Sequence, residues 1–156
     1  MATEDILVGV DLALKNGCQI DLAGEKSLDL IKKAEITLEL KFPPSYKEFL
    51  HVFGCGDIAG HEFYGITGSD FTNSGIPDAV WITVRERIDS NLPRQFLIIG
   101  EQGNGAYYVL NCECEGAECP VILWWPGLSQ ADQIKDAEIL AQDFGSFFVE
   151  LIKSSL

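Results

Sequence analysis

The chain has 156 residues, 47% of them hydrophobic, so a single domain with a buried core is expected. Its 24 acidic residues outnumber its 11 basic ones, and the formal net charge of −13 disfavours binding to nucleic acid or to an anionic membrane. No apolar run approaches the ~20 residues that a spanning helix needs, and the acidic start does not fit a secretory signal.

The cysteine content and the charge distribution add two expectations. The five cysteines are an odd number in a chain of good core size, which argues against a disulfide framework and favours a reducing, cytoplasmic setting. Residues 61–156 hold fourteen acids and five bases, net −9, whereas residues 1–60 hold ten acids and six bases, net −4. This acidic half fits a basic partner, although solubility alone explains it equally well.

The N-terminal part of the chain predicts two helices. The first covers residues 3–15, with Thr3 as N-cap. Its apolar face is expected to contain Ile6, Val10, Ala13 and Leu14. Residues 18–26 read as a connector, and Ser27 caps the second helix. One side of that helix carries Leu28, Ile31, Ala34, Glu35 and Leu38. We expect Glu35 at the edge of this side, hydrogen-bonded to a neighbouring loop.

A double proline separates the second helix from a third. Pro43 and Pro44 cannot lie inside a helix, because each lacks an N–H group. Either Ser45 caps the next helix or Pro44 occupies its first turn. Its apolar face repeats at helical spacing through Tyr46, Phe49, Leu50 and Phe53. Gly54 follows as the residue that ends the helix.

The middle of the chain predicts a loop, a strand, a second loop and a helix. Residues 54–60 are glycine-rich loop, 62–66 a strand and 67–77 a polar loop. Asp78 can cap a helix in which Val80, Val84 and Ile88 recur every fourth residue, with a strand as the competing interpretation.

The last third predicts a sheet and a closing helix. Strands are expected at 97–99, 106–111 and 121–125, and Trp124 and Trp125 would point to opposite faces. We expect Asp143 to cap a final helix that packs on the sheet through Phe144, Phe147, Phe148, Leu151 and Ile152. Helices first, an antiparallel meander second and a helix last indicate an α+β fold.

Several short patterns, in this order, resemble the SUKH superfamily, which includes the yeast Smi/Knr cell-wall regulators and many bacterial immunity proteins. They are I-x-x-x-E at 31–35, F-P-P-S-Y-K-E-F-L at 42–50, F-Y-G-I at 63–66, a hairpin at 96–110, P-V-I-L-W within 119–125 and a closing helix at 139–148. The resemblance covers about residues 25–155 and implies one SUKH-like domain over residues 1–156. Two positions depart from the family: Phe42 replaces a leucine, and Asn104-Gly105-Ala106 replaces Gly-Asp.

The resemblance implies a non-enzymatic immunity protein without a cofactor. It would bind a cognate toxin domain, such as a nuclease, and would be a monomer or weak dimer in the cytoplasm. The partner-binding acids are expected to be Asp57, Glu62, Glu101, Glu113, Glu115 and Glu118. The alternative function is a regulatory protein-binding scaffold like the Smi/Knr proteins.

Three further patterns contain residue types that can carry chemistry. Cys112, Cys114 and Cys119 come closest to a metal site, but one half of it is only C-x-C. The second pair of zinc ligands would have to come from Cys18, Cys55, His51 or His61. Otherwise they are incidental thiols at a hairpin end, made less reactive by neighbouring glutamates that raise their pKa.

Two other patterns also have simpler explanations. His51 and Cys55 lie four residues apart, as a catalytic pair could, but Gly54 interrupts the helix between them. We expect His51 on the polar side of its helix and Cys55 to be buried. The glycines at 100, 103 and 105 lack the lysine of a phosphate-binding loop and join two strands, so they indicate a hairpin.

Overall fold

The structure is a computed structural model that describes residues 2–127 and 137–156. The helices of this part of the chain are α1 Ala2–Lys15, α2 Leu28–Leu38, α3 Pro44–Phe53, α4 Ala79–Asp89 and α5 Phe144–Lys153. Its strands are β1 Ile20–Leu22, β2 Gly56–Ile58, β3 His61–Phe63, β4 Phe96–Glu101, β5 Tyr107–Asn111, β6 Val121–Trp124 and β7 Ile139–Ala141. These elements confirm the α+β class.

The strands form two antiparallel sheets that meet at one backbone hydrogen bond. The first sheet has the order β1-β2-β3 and the second β4-β5-β6-β7. The N–H group of Tyr64, just after β3, donates to the carbonyl oxygen of Ile99 on β4 at 2.9 Å. This bond places the open edge of the first sheet beside the second.

Helix α5 packs on the sheets through aromatic rings, as its sequence predicts. The Phe148 ring lies 4.7 Å from the Phe63 ring, and the Phe147 ring lies 4.9 Å from the Tyr108 ring, measured between centroids. The same Phe148 ring also meets α1 at Gly9, where an added Cβ would lie 2.8 Å from it. A side chain at position 9 would therefore force the two helices apart.

Three of the predicted helix caps are confirmed. Side-chain oxygens of Ser27, Asp78 and Asp143 accept hydrogen bonds from backbone N–H groups three residues later, at 3.1, 2.9 and 2.7 Å. Each bond satisfies a donor that the first helical turn leaves without a partner. At α3 the alternative with Pro44 in the first turn is correct, and Ser45 is not the cap.

Helix α3 connects the two sheets to the helical layer. Its Tyr46, Phe49 and Leu50 are fully buried, as predicted, and Gly54 ends the helix with a φ of 77°. The Tyr46 hydroxyl donates to the carbonyl oxygen of Tyr64 at 2.9 Å. Helix α3 is therefore bonded to the residue that joins the sheets.

Several residues that were predicted on the apolar face of a helix are exposed. Leu14 is 62% exposed, Leu28 67% and Ile88 75%. These residues lie at the ends of their helices, where the helix runs past the body that it packs against. Thr3 is not a cap, because α1 already begins at Ala2.

Three short strands were not predicted. Strands β1 and β2 lie in segments interpreted as a connector and a loop. Strand β7 lies at the start of the segment 139–148 that the resemblance assigns to the closing helix, and α5 begins only at Phe144. Of those tryptophans, Trp124 is 1% exposed and Trp125 36%, which confirms that they face opposite ways. Among the helices in the described residues, none is long and apolar enough to cross a membrane.

Candidate partner-binding surface

Three carboxylates stand directly opposite one another on the first sheet. The register pairs Asp21 of β1 with Asp57 of β2, and Asp57 with Glu62 of β3. Opposite residues of antiparallel strands project from the same face. Because all three residues are exposed, the sheet presents a line of negative charge to solvent.

The sequence of each strand explains why its acid faces outward. The acid is the middle residue of each three-residue strand, in I-D-L, G-D-I and H-E-F. Side chains alternate along a strand, so burying Ile58 and Phe63 turns the preceding acids to solvent. The close pairing of β1 and β2 also requires Gly56, whose φ is 139° and whose added Cβ would collide with the carbonyl oxygen of Asp21.

Glu101 extends this line onto the second sheet. The pKa of Glu62 is raised by partial burial and further by the charges of Asp57 and Glu101. Glu101 ends β4, two residues beyond the Ile99 oxygen that bonds Tyr64. The four residues that we name the acidic row are Asp21, Asp57, Glu62 and Glu101.

No lysine or arginine neutralises the acidic row among the described residues. The ion pairs in that part of the chain join Lys15 to Asp11, Arg85 to Asp89, Arg94 to Glu39 and Lys153 to Glu150. Like charges placed opposite one another on a sheet are destabilising. The carboxylates of the acidic row therefore repel one another, and a cationic partner would reduce this repulsion.

Small structural features at both ends of the acidic row add contact area. At the β1–β2 end a pocket of about 230 Å³ is lined by Gln19, Asp21, Asp57 and Gly60. At the other end Tyr107 pairs with Glu101 across β4 and β5, and its ring stacks 6.0 Å from Trp124. Burial, Glu86 and Glu101 together raise the pKa of Tyr107.

The six acids predicted to bind a partner fall into two groups. Asp57, Glu62 and Glu101 come together in the acidic row. Glu113, Glu115 and Glu118 lie in the β5–β6 connection. In the β4–β5 hairpin Glu101 pairs with Tyr107 at one end and Phe96 with Asn111 at the other, so the β5–β6 connection begins at the end opposite Glu101.

Glu118 is half-buried and is held by hydrogen bonds to α3. Its carboxylate accepts hydrogen bonds from the N–H group of Ser45 at 3.0 Å and from the Ser45 hydroxyl at 2.7 Å. Ser45 lies in the first turn of α3, where unpaired N–H groups and the helix dipole favour an anion. The Glu118 carboxylate therefore already makes two hydrogen bonds within the protein.

Glu113 and Glu115 are both exposed. Glu115 helps to line a cavity of about 340 Å³ together with Lys32 and Lys41, and Glu35 and Glu39 line the same cavity. The two lysines, from α2 and the turn after it, offset part of the negative charge here.

The pKa values of Cys112, Cys114 and Cys119 are not all shifted in the same direction. Hydrogen bonding with Cys119 and burial raise the pKa of Cys112, and burial raises that of Cys114. The direction is the expected one, but burial and the neighbouring thiol outweigh the glutamates as its cause. The expectation is wrong for Cys119, whose pKa falls to about 7, chiefly because the Cys112 thiol can donate to its thiolate. Within residues 2–127 and 137–156, no group of three or more histidine, cysteine or acidic side chains is arranged to hold a metal ion.

The proposed histidine–cysteine pair lacks the features of an activated nucleophile. Nδ1 of His51 lies 2.8 Å from the carbonyl oxygen of Lys26. Cys55 is buried, as predicted, and burial raises its pKa to about 11. A catalytic thiol requires the opposite shift.

Asp21 is the member of the acidic row that sequence analysis missed. The signal was present as the alternation of Ile20, Asp21 and Leu22. Three residues are too few to distinguish a strand from a connector without its partner strand. Only the pairing with β2 shows that Asp21 shares a face with Asp57.

The comparisons with known proteins identify the family. No curated protein matches the chain significantly. The family model SUKH_6, described as SMI1-KNR4 cell-wall, matches residues 28–148, which run from the start of α2 into α5. Since this match covers most of the chain, the protein belongs to the SUKH superfamily.

Proposed function

We propose that this protein is a non-enzymatic immunity protein that binds a cognate bacterial toxin domain in the cytoplasm and neutralises it. The observation that carries the proposal is the acidic row, a set of opposed carboxylates without basic partners in the described chain. Family membership supports a role in protein binding. The protein would act by occlusion, as a monomer or weak dimer.

The geometry of the acidic row suits a toxin that acts on nucleic acid. Neighbouring strands lie about 4.8 Å apart, so the carboxylates of β1, β2 and β3 form a line roughly 10 Å long. A nuclease cleft carries lysine and arginine residues that bind successive phosphates. A line of carboxylates can occupy such a cleft and accelerate association by electrostatic steering.

The two groups of acids would contribute differently. Asp21, Asp57, Glu62 and Glu101 would make direct contacts, since they are exposed and share one surface. Glu113 and Glu115 would add to the long-range field from the far end of the β4–β5 hairpin. Glu118 would act indirectly, because it positions the loop that carries them.

Binding kinetics against any toxin domain that a neighbouring gene encodes test the proposal. In the charge-reversal variant Asp57→Lys/Glu62→Lys/Glu101→Lys, we expect the on-rate to fall about tenfold or more and the salt dependence to weaken. The matched control Glu25→Lys/Glu138→Lys/Glu150→Lys changes the net charge equally at exposed positions outside both groups of acids. An on-rate and salt slope that are the same in the row variant as in wild type would contradict the proposal.

A regulatory protein-binding scaffold is the second candidate, favoured by the cell-wall description of the matching family. The two functions differ in what the protein does for a cell that makes the toxin. Co-expression that restores growth, and fails to do so with the row variant, supports immunity. If the wild-type protein binds no neighbouring toxin and gives no protection, the scaffold function is favoured.

A further inference from the structure

The connection between β5 and β6 is a tight hairpin. The N–H group of Asn111 donates to the carbonyl oxygen of Pro120 at 3.1 Å, one step beyond the last strand pair. At the tip, the N–H group of Ala117 donates to the carbonyl oxygen of Cys114 at 3.0 Å. The two residues between them, Glu115 and Gly116, both have positive φ, as in a type I′ turn.

This hairpin brings three thiols together. The Asn111–Pro120 bond continues the β5–β6 register by one pair, and the next step places Cys112 opposite Cys119. Cys114 begins the turn, and its thiol lies within hydrogen-bonding reach of the Cys119 sulfur. The N–H group of Cys112 donates to the carbonyl oxygen of Gln95 on the β4 side, so Cys112 shares no backbone hydrogen bond with Cys119. Directly opposite Cα atoms that do not share backbone hydrogen bonds lie about 4.5 Å apart, within the range that a disulfide can bridge.

The three thiols differ in access. Cys119 and Cys112 are buried, whereas Cys114 is partly exposed. All three are free in this structure. The Cys119 sulfur interacts with the thiols of both other residues and with the N–H group of Cys114. Cys119 is therefore the central sulfur and Cys114 is the one that a solute can reach.

We propose that Cys112, Cys114 and Cys119 form a thiol–disulfide exchange site, in which a small disulfide reacts at Cys114 and the oxidation ends as a Cys112–Cys119 disulfide. The substrate class is a low-molecular-weight disulfide, RSSR. This inference concerns a site away from the acidic row and does not depend on the proposed immunity function.

The exchange balances in three steps. The Cys114 thiolate attacks one sulfur of RSSR and expels RS⁻, which leaves a mixed disulfide on Cys114. The Cys119 thiolate attacks the Cys114 sulfur and expels the second RS⁻. Cys112 then attacks the Cys119 sulfur, which forms the cross-strand disulfide and releases Cys114. Two protein thiols are oxidised, RSSR is reduced to two RSH, and the thiol protons pass to the released thiolates.

The ionisation of Cys119 supports its part in this sequence. Its pKa of about 7 leaves a substantial thiolate fraction at neutral pH, close to the optimum for an attacking thiol. The neighbouring Cys112 and Cys114, with raised pKa values, supply the protons. Oxidation would close the hairpin beside Glu118 and fix the loop that carries it.

The test uses the full chain, freed of reductant and incubated with glutathione disulfide. Unreacted thiols are blocked with N-ethylmaleimide at intervals, and linkages are mapped by peptide mass spectrometry. We expect wild type to lose two of its five thiols, with Cys112 linked to Cys119 and no glutathione retained. In Cys114→Ser, disulfide formation should slow about tenfold or more, because the remaining two thiols are buried.

Two more variants complete the test. Cys119→Ala should accumulate glutathione on Cys114, whereas the control Cys18→Ser, which changes another partly exposed cysteine, should behave like wild type. Any of three results would overturn the proposal: a stable glutathione adduct on wild type without an internal disulfide, a linkage that involves Cys18 or Cys55, or an unchanged rate in Cys114→Ser. If Cys119→Ala does not fold by circular dichroism, wild type and Cys114→Ser still decide the matter.

Discussion

Glu118 and Ser45 join three distant parts of the fold. The Glu118 carboxylate accepts from both the N–H group and the hydroxyl of Ser45, at 3.0 and 2.7 Å. The Ser45 oxygen in turn accepts from the N–H group of Gly145 at 3.2 Å. A single serine therefore connects the β5–β6 loop to the first turns of both α3 and α5.

Removing the Glu118 carboxylate should destabilise the protein. We expect Glu118→Ala to lower the free energy of unfolding by about 1–3 kcal/mol, because two donors in a partly buried site lose a charged acceptor. Urea denaturation at pH 7 measures the change. The control Glu113→Ala removes an exposed glutamate from the same loop and should cost less than about 0.5 kcal/mol. Equal effects of the two substitutions would contradict the structural role of Glu118.

Glu35 should be important for the turn that follows α2. It is buried on the helix and accepts a hydrogen bond from the N–H group of Phe42 at 2.8 Å, which confirms its expected bond to a loop. We expect Glu35→Ala to cost about 1–3 kcal/mol, since it leaves a buried donor without a partner. Glu35→Gln keeps an acceptor oxygen and should cost less. Thermal unfolding of both variants checks the order, and a larger loss for Gln than for Ala would refute it.

Gly145 should tolerate no side chain. An added Cβ there would overlap the carbonyl oxygen of Ala2, so α1 and α5 could not keep their spacing. We expect Gly145→Ala to lower stability by at least about 1 kcal/mol. Gly68→Ala is the matched control, because nothing lies within 4 Å of its added Cβ. Denaturation midpoints that do not differ between the two variants would rule out this close approach.

The acidic row should make stability depend on pH through Glu62. Partial burial, Asp57 and Glu101 raise its pKa above the ordinary 4.5. A carboxyl with a raised folded pKa favours the folded state when protonated, so this contribution is lost as the pH rises through that pKa. We therefore expect Glu62→Gln to be more stable than wild type at pH 7 and equally stable at about pH 4.

Urea midpoints between pH 4 and pH 8 measure this difference. Glu113→Gln serves as the control, because it removes a negative charge at the far end of the β4–β5 hairpin. A Glu62→Gln variant that loses stability at pH 7 would mean that Glu62 makes favourable contacts in the folded state instead of suffering repulsion.

Periodicity and capping predicted the helical part of the fold well. The apolar stripe from Phe144 to Ile152 and the caps at Ser27, Asp78 and Asp143 depend on neighbouring residues alone, so one sequence contains the full signal. Burial of residues near the helix ends was predicted less well. Leu28 is apolar and correctly spaced, yet its side chain is 67% exposed.

The acidic row could be predicted only in part, because its strands are defined by their partners. In the sequence Gly56 indicates a loop, whereas in the structure the absence of a Cβ lets β2 approach Asp21. The sequence also presents all six predicted acids as surface charges. Their separation into two groups depends on the register of the β4–β5 hairpin. The hydrogen bond between Ser45 and Glu118 joins residues 73 positions apart, which no local pattern reveals.

The placement of Asp57 and Glu62 on paired strands also affects how the binding specificity of this surface could change. A body that docks there would order side-chain rotamers but little backbone, so the entropic penalty of recognition stays small. The buried faces of the same strands hold Ile58 and Phe63 in the core. Substitution of the exposed residues can thus change which partner the protein binds, while the buried residues of the same strands keep the fold unchanged.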